Sequence, residues 1–386
     1  MTKTIIFCAD GTWNGPGRDL EDAPVQVQPS NVLKIYHWLS GRDTLESMGY
    51  AGEAERVETE ESGAPVQAAK YLDGVGYAQN WLVKFLGGAF GAGIIARIVR
   101  GYTYISRTYL AGDRIVLVGF SRGAYTARAL AGLIRDQGLL DATRLDLTDK
   151  EIAYRLGCAV WTAHQRKTKE GFFERIESVL GDLPGFFTRM PDPADLLPAP
   201  IRTVAVWDTV GALGIPRYAG EDIRLDAFRF ADLDLNPGVA QGLQALALDE
   251  ERTDFTPTLW NQREGVTQVL FPGAHADVGG GYPMTGGESG LSDGALLWMQ
   301  TRLASGPDPV RFGLPAPGMA PCASGVAHQP WTALPYCVKP HARRQFPDFR
   351  GLVPDASVQA RMDRSPVKPD PSLPPCAYAP GNLPRP

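Results

Sequence analysis

Four short strand-like runs, each rich in β-branched residues and each ending at a turn, set the rhythm of this chain: Ile5 to Ala9, Ile115 to Val118, Ile201 to Trp207 and Val266 to Phe271. The apolar run Ile115 to Val118 suits a strand covered on both faces, as in a parallel sheet. Between the four runs the period changes. Ser30-Asn31 caps a helical pattern through Val32, Ile35, Tyr36 and Leu39, and Gly87 to Gly93 leads into a helix ending near Gly112. Helix-forming residues run from Ala124 to Ile134, and a further helix begins near Ser292-Asp293 and covers Leu296 to Leu303. Strands alternating with helices predict an α/β fold with a mostly parallel central sheet flanked by helices. Residues 40 to 70, polar and acidic, read as a surface loop.

Two segments depart from that rhythm. Residues 148–198 carry helical patches and the aromatic pairs Phe172-Phe173 and Phe186-Phe187, as expected of a helical insertion. Aromatics of an insertion above the strand ends line an acyl-chain groove, form a lid, or make the insertion's own core. Residues 307–386 hold 18 of the 32 prolines, which precludes long strands or helices and predicts an irregular extension with a partly disordered end. The expected organisation is a catalytic domain over 1–306, with the insertion, followed by that extension.

The chemistry concentrates at the turns. Gly119-Phe120-Ser121-Arg122-Gly123 fits G-x-S-x-G between a strand pattern and a helix pattern, which marks Ser121 as a candidate nucleophile. Its bland alternative is a glycine-bounded turn whose serine caps the next helix. A serine nucleophile needs a base and a carboxylate that orients the base, and in α/β-hydrolases these follow in the order Ser, Asp/Glu, His. Asp208 and His275 satisfy that order, each just past a strand-like run. His37 and His164 lie in helical patterns, and His328 and His341 in the proline-rich segment. Asp277 rivals Asp208 by its closeness to His275, but a separate strand delivers Asp208 to the far side of the imidazole. Asp277 is then expected to cap the glycine loop or brace the site. The backbone N–H of Arg122 is one expected oxyanion donor and that of Gly11 or Thr12 the second, with Asp10 orienting their loop.

Composition narrows the partners. A net charge of −5 supplies no basic surplus for a nucleic acid, and no Lys/Arg block offsets it. Five scattered cysteines without C-x-x-C spacing indicate neither a zinc site nor a disulfide framework and suit synthesis in a reducing cytoplasm. The start of the chain has no signal-peptide pattern, and the longest uncharged apolar-rich stretch, Phe85 to Ala96, falls short of the roughly 20 residues that span a bilayer. Any membrane contact is therefore expected to be peripheral. The glycine run at 87–93 lacks a preceding β-branched strand and the G-x-G-x-x-G spacing of a dinucleotide site. No metal or cofactor is expected.

Taken in order, Asp10-Gly11-Thr12-Trp13-Asn14, Asn31-Val32-Leu33-Lys34-Ile35-Tyr36, the segment from Gly119 to Arg128, Trp207-Asp208-Thr209-Val210-Gly211, Ala245 to Glu250, Pro257-Thr258-Leu259-Trp260 and His275 to Tyr282 resemble the α/β-hydrolase domain of the bacterial type VI secretion phospholipase-effector family. The resemblance covers residues 2 to about 304. It implies a serine esterase or phospholipase, with Ser121, Asp208 and His275 in the triad roles, a lipid or small ester as substrate, and a secretion apparatus or an immunity protein as partner classes. It also implies delivery by type VI secretion. Two other readings of the same residues stay open: a thioesterase, small-ester esterase or acyltransferase with that triad, and a non-catalytic module that binds lipid or protein through the Phe-rich insertion.

Overall fold

The computed structural model describes residues 2–11, 28–44, 52–74, 89–168, 189–210, 235, 237–315, 318–334, 336–346 and 351–384. Within them the chain runs β1 (Thr4–Ala9), α1 (Asn31–Trp38), β2 (Arg42–Asp43), β3 (Glu53–Thr59), β4 (Pro65–Leu72), α2 (Ala89–Thr108), β5 (Arg114–Phe120), α3 (Arg122–Gln137), β6 (Leu139–Leu140) and α4 (Lys150–Thr168). There follow β7 (Leu196–Leu197), β8 (Ile201–Trp207), β9 (Val239–Ala247), β10 (Val266–Phe271), α5 (His275–Gly279), α6 (Gly290–Leu303), β11 (Leu352–Pro354) and α7 (Ala356–Asp363). Nine strands form one sheet in the order β11-β10-β9-β8-β5-β1-β4-β3-β2, and β6 and β7 form a separate antiparallel pair. All pairings from β11 to β4 are parallel, while β3 and β2 close one edge antiparallel.

Both faces of the parallel strands are covered, which is why strands such as β1 and β5 are rich in apolar residues on both faces. Ile5, Phe7, Ile115, Leu117, Val204 and Val206 pack against α2, α3 and α4. Within α2 the buried residues Ile94, Ile95, Ile98, Val99, Tyr102 and Ile105 recur at three- and four-residue spacing and make one stripe toward the sheet. The opposite side chains, Ile6, Cys8, Val116, Val118, Ala205 and Trp207, pack against α1 and α6. A buried ion pair, Lys34 to Asp293 at 2.7 Å, ties α1 to α6 on that face.

The expected α/β architecture with a mostly parallel, helix-flanked sheet is present; one local expectation needs correction, and two segments carry structure that the sequence reading did not describe. Residues 40–70 are not a surface loop. They hold β2, β3 and most of β4, whose Val66 to Leu72 is buried beside β1, with its polar Gln67 bonded to Ser40 and Arg311 on one face and Lys70 to Glu53 and Glu55 on the other. A central strand, β9, lies at 239–247, where Gly242 and two glutamines break the apolar pattern. Gln244 Nε2 donates to Thr258 O and a Cβ at Gly242 would meet Leu235 and Trp260, so the polar and small residues are packed into the strand's surroundings. The proline-rich segment, largely irregular among its described residues, packs on the domain. It adds β11 to the edge of the main sheet, adds α7, and buries Leu352 and Val358 against Leu246, Leu248 and Leu270, with Tyr378 and Leu383 packed outside them.

Candidate active site

Because β1, β5, β8, β9 and β10 run parallel, their carboxyl ends share one rim, and the residues that follow them meet there. The order of strands reverses at β1, with β4 on one side and β5 on the other, so the rim at β1 and β5 is a switch point. Register pairs Phe120 of β5 with Trp207 of β8, and the Ser121 N–H donates to Trp207 O at 3.1 Å. Ser121 and Asp208 thus emerge from adjacent strands. They are also the two described non-glycine residues with positive φ, 57° and 34°. A strained backbone at the ends of two neighbouring strands persists only where its surroundings over-determine it.

The glycines of the G-x-S-x-G segment explain that constraint at Ser121. A Cβ on Gly119 would stand 2.5 Å from Gly123 O, and one on Gly123 would stand 2.0 Å from Ala9 O and 2.6 Å from Asp10 O. The first turn of α3 therefore presses directly on the ends of β5 and β1. Ser121 has φ 57° and ψ −120° and makes no side-chain cap bond to α3, so the capping-serine alternative does not describe it.

Asp208 is wholly enclosed and has four donors among the described residues. Its Oδ1 accepts from Ala247 N at 3.0 Å and Arg344 Nη1 at 2.7 Å; its Oδ2 meets His275 Nδ1 at 2.5 Å and Arg344 Nη2 at 2.9 Å. Burial alone pushes this carboxyl up, but the Arg344 guanidinium and the His275 and Arg344 hydrogen bonds outweigh it and hold it far below the usual carboxylate range. The His275 imidazole, six per cent exposed, is lowered chiefly by burial, against the opposing pull of Asp208. Its ring lies between Phe120, tilted at 4.6 Å, and Phe255, edge-on at 4.9 Å. A carboxylate on Nδ1 makes that nitrogen the proton carrier and leaves Nε2 as the basic lone pair.

A second carboxylate supports the backbone of His275. Glu250 Oε2 accepts from the His275 N–H at 3.1 Å, and Arg252 grips Glu250 through Nε and Nη2, each at 2.8 Å. Burial raises the Glu250 carboxyl, and the Arg252 bonds and charge overcome it and leave it lowered. The Arg252 guanidinium lies over Phe255 at 3.6 Å and Tyr336 at 4.7 Å, so it also backs the ring that packs on His275.

Asp277 turns away from this pair. Its Oδ2 accepts from Ala274 N at 2.9 Å and His328 N at 3.0 Å, and its Oδ1 meets His328 Nδ1 at 2.7 Å. It caps α5 and anchors the later segment, while His328 stacks on Tyr282 at 3.3 Å and reaches Glu288. Burial raises the Asp277 carboxyl against the His328 bonds, and Asp277 with Glu288 outweighs burial to raise the imidazole. The glycines around α5 are spacers: a Cβ at Gly273 would collide with Asp277, one at Gly279 with Phe120, and one at Gly280 with Asn31 N.

At the end of β1, Asp10 accepts from Ser30 Oγ at 2.6 Å, Tyr71 OH at 2.7 Å and Gly11 N at 2.7 Å. Burial lifts its carboxyl to about 7 despite these bonds. The Gly11 N–H, one of two expected oxyanion donors from this loop, is thus spent on Asp10; the other, Thr12, lies outside the described residues. So do Phe172, Phe173, Phe186 and Phe187. Arg122 heads α3, where first-turn N–H groups lack the i−4 partner of a helix interior. Among the described residues no group of three or more His, Cys, Asp or Glu could hold a metal ion, and no helix is long and apolar enough to cross a membrane. A cavity of about 170 Å³ lies beneath the proline-rich segment, lined by Asp249, Gly273, His328, Arg361 and Tyr378 among others, and none of Ser121, Asp208 and His275 lines it.

Sequence reasoning missed Arg344, Arg252, Glu250 and the pairing of His328 with Asp277. Glu250 belonged to a recognisable segment, Ala245 to Glu250. Arg344 carries no local signal, being one of two adjacent arginines in a proline-rich stretch.

A switch-point sheet of parallel strands with Ser121, Asp208 and His275 after β5, β8 and β10 defines an α/β-hydrolase-like domain. Residues 3–302 match the family described as "T6SS, Phospholipase effector Tle1-like, catalytic domain", and the chain belongs to that family. Over 139 residues it is 33% identical to the uncharacterized protein YEL023C of Saccharomyces cerevisiae (strain ATCC 204508 / S288c), a stretch covering 36% of this chain and 18% of that protein. Among solved structures, the Tle1 effector bound to the VgrG spike from the type 6 secretion system is 19% identical, with a TM-score of 0.36, over 74% of this chain and 52% of that one. An uncharacterized protein from Pseudomonas aeruginosa is 18% identical, with a TM-score of 0.45, over 84% and 49%. The chain spans about half the length of these two structures and under a fifth of the yeast protein.

Proposed function

We propose that this domain hydrolyses carboxylic esters of lipids, phospholipids foremost, through Ser121, His275 and Asp208. The observation that carries the reading is the buried Asp208–His275 pair at 2.5 Å on the rim where Ser121 emerges with φ 57°. In the reaction, His275 Nε2 takes the Ser121 hydroxyl proton as Oγ attacks the ester carbonyl, and Asp208 stabilises the imidazolium. The tetrahedral oxyanion collects at the head of α3, where the Arg122 N–H is one donor. Collapse of that intermediate passes the proton from His275 to the leaving alcohol and leaves an acyl-serine. Water, deprotonated by His275, then releases the acid and restores the hydroxyl. Asp277 and Asp10 serve as braces, the first on α5 and the second on the loop after β1. Family membership supports the lipid substrate and a type VI secretion apparatus as the delivery partner.

The test is labelling with a fluorophosphonate followed by peptide mapping, alongside turnover of phospholipid vesicles, a short-chain ester and a thioester. Ser121 is expected to carry the label, and Ser121→Ala or His275→Ala to lower turnover by about 10⁴ to 10⁶. Label on another residue, or full activity in Ser121→Ala, would sink the proposal. Preference for the short ester or thioester would keep the triad and replace the substrate class.

A further inference from the structure

We infer that Arg344 is a positioning residue for the triad acid, so that the segment beyond residue 306 is a working part of the active site and not an appendage. The inference rests on the proposed roles of Asp208 and His275. It begins from an imbalance. Asp208 is fully buried, and burial by itself favours the neutral acid, which could neither orient His275 nor stabilise an imidazolium. Among the described residues of 1–306, one N–H, from Ala247, and the imidazole are the donors supplied to Asp208. The remaining two come from a single guanidinium.

That guanidinium is placed as a fork. Nη1 bonds Asp208 Oδ1 and Nη2 bonds Asp208 Oδ2, at 2.7 and 2.9 Å, while their second protons go to Ala247 O at 2.7 Å and Phe255 O at 2.5 Å. The two carbonyls fix the plane of the fork from behind, and the fork fixes the plane of the carboxylate. Oδ2 is then held toward His275 Nδ1, and rotation about the Asp208 side chain would break two charge-assisted bonds at once. A lysine at this site would supply charge without the fork. The side chain of Arg344 is four per cent exposed and that of Asp208 not at all, so the pair is shielded from water and salt.

The chain that delivers Arg344 is itself tied to the rim. Ala342 N donates to Glu251 O at 2.8 Å, His341 bridges Arg252 in the backbone, and Asn382 Nδ2 reaches both Leu248 O at 2.9 Å and Arg344 O at 3.2 Å. The same stretch therefore touches the ends of β8 and β9 and the Glu250–Arg252 support of His275. The family match stops at residue 302, so this contribution comes from outside the matched region.

Arg344→Ala, Arg344→Gln and Arg344→Lys, made in the full chain, test this. For Arg344→Ala, kcat is expected to fall by about 10² to 10³ with KM changed by less than about threefold. Added guanidinium at sub-denaturing concentration should recover at least about tenfold of the lost kcat, while equal sodium chloride or urea recovers none. The rate of fluorophosphonate labelling should fall and recover in parallel. Should Arg344→Ala not fold, Arg344→Lys and Arg344→Gln decide: both are expected to keep the wild-type circular dichroism and to lose most of kcat. Wild-type kcat in Arg344→Lys, kcat within about threefold of wild type in Arg344→Ala, or a loss that guanidinium does not reverse would overturn the inference. A labelled Ser121 with unaffected Arg344 variants removes this inference alone, whereas an active Ser121→Ala removes the reading beneath it.

Discussion

Substituting Gly279 by alanine perturbs the site through one methyl group. Gly279 ends α5, and a Cβ built on it would lie 1.9, 2.2 and 2.3 Å from Cε2, Cζ and Cδ2 of Phe120. Carbon atoms in contact rest at about 3.5 to 4.0 Å, so the ring or the helix must retreat by more than about 1 Å. Neither has room. Phe120 is one per cent exposed and also packs on His275, four residues before Gly279 on the same helix, at 4.6 Å, so a retreat of ring or helix changes the packing on the imidazole and pulls on the adjoining Ser121. Overpacking of this kind costs about 1 to 3 kcal/mol, and the rigid ring with its enclosed surroundings places Gly279→Ala near the upper end, about 3 kcal/mol. A shift of about 1 Å at the reacting groups adds a loss of about 10² in kcat. Gly132→Ala is the matched control. Gly132 sits inside α3 with nothing within 4 Å of its would-be Cβ, and the same substitution there should stabilise by about 0.5 to 1 kcal/mol. Urea unfolding at equilibrium measures both, with turnover of a soluble ester on the same preparations. Stability of Gly279→Ala within about 0.5 kcal/mol of wild type, with kcat intact, would refute the packing account.

Two further predictions concern protons. His275 must be neutral to act as a base and its imidazole is lowered by burial, so the acid limb of kcat/KM should have its midpoint below the ordinary 6.5; a midpoint above that value would contradict the assignment of the base. The groups that share its field are Asp208, Glu250 and Arg252. Asp10, raised to about 7, favours its protonated form in the fold. Its contribution is present below the unfolded carboxylate value of about 3.9 and is lost as pH rises through 7, which makes the protein less stable by about 2 kcal/mol between pH about 5.5 and 8. Asp10→Asn should flatten that part of the urea-unfolding profile, though it costs stability at the acid end by removing an acceptor; parallel profiles for the two proteins would exclude Asp10 as the source.

Much of the frame was legible along the chain because each element leaves a local periodic trace. Strands covered on both faces read as apolar-rich, β-branched runs, which located β1, β5, β8 and β10, and the residues just beyond three of those ends are Ser121, Asp208 and His275. Where tertiary neighbours supply what a strand's own side chains lack, the trace disappears. β4 and β9 tolerate Gln67, Lys70, Gly242 and Gln244 because partners elsewhere satisfy or accommodate them, and so they escaped a reading based on hydrophobicity.

The identity and order of the rim residues were thus properties of the sequence, set by strand ends and by glycines spaced to let the backbone pass. That order also assigned Asp208 rather than Asp277 to His275; the partner that Asp277 takes instead, His328, was not legible. Asp208 is 67 positions from His275 and Asp277 only two, yet the far one makes the pair, because α5 points Asp277 back to its own N-terminus and to His328. The partner of Asp208, Arg344, lies 136 positions away. Contacts across such separations have no local period to betray them; they exist only once the sheet has closed and the proline-rich segment has folded over its rim.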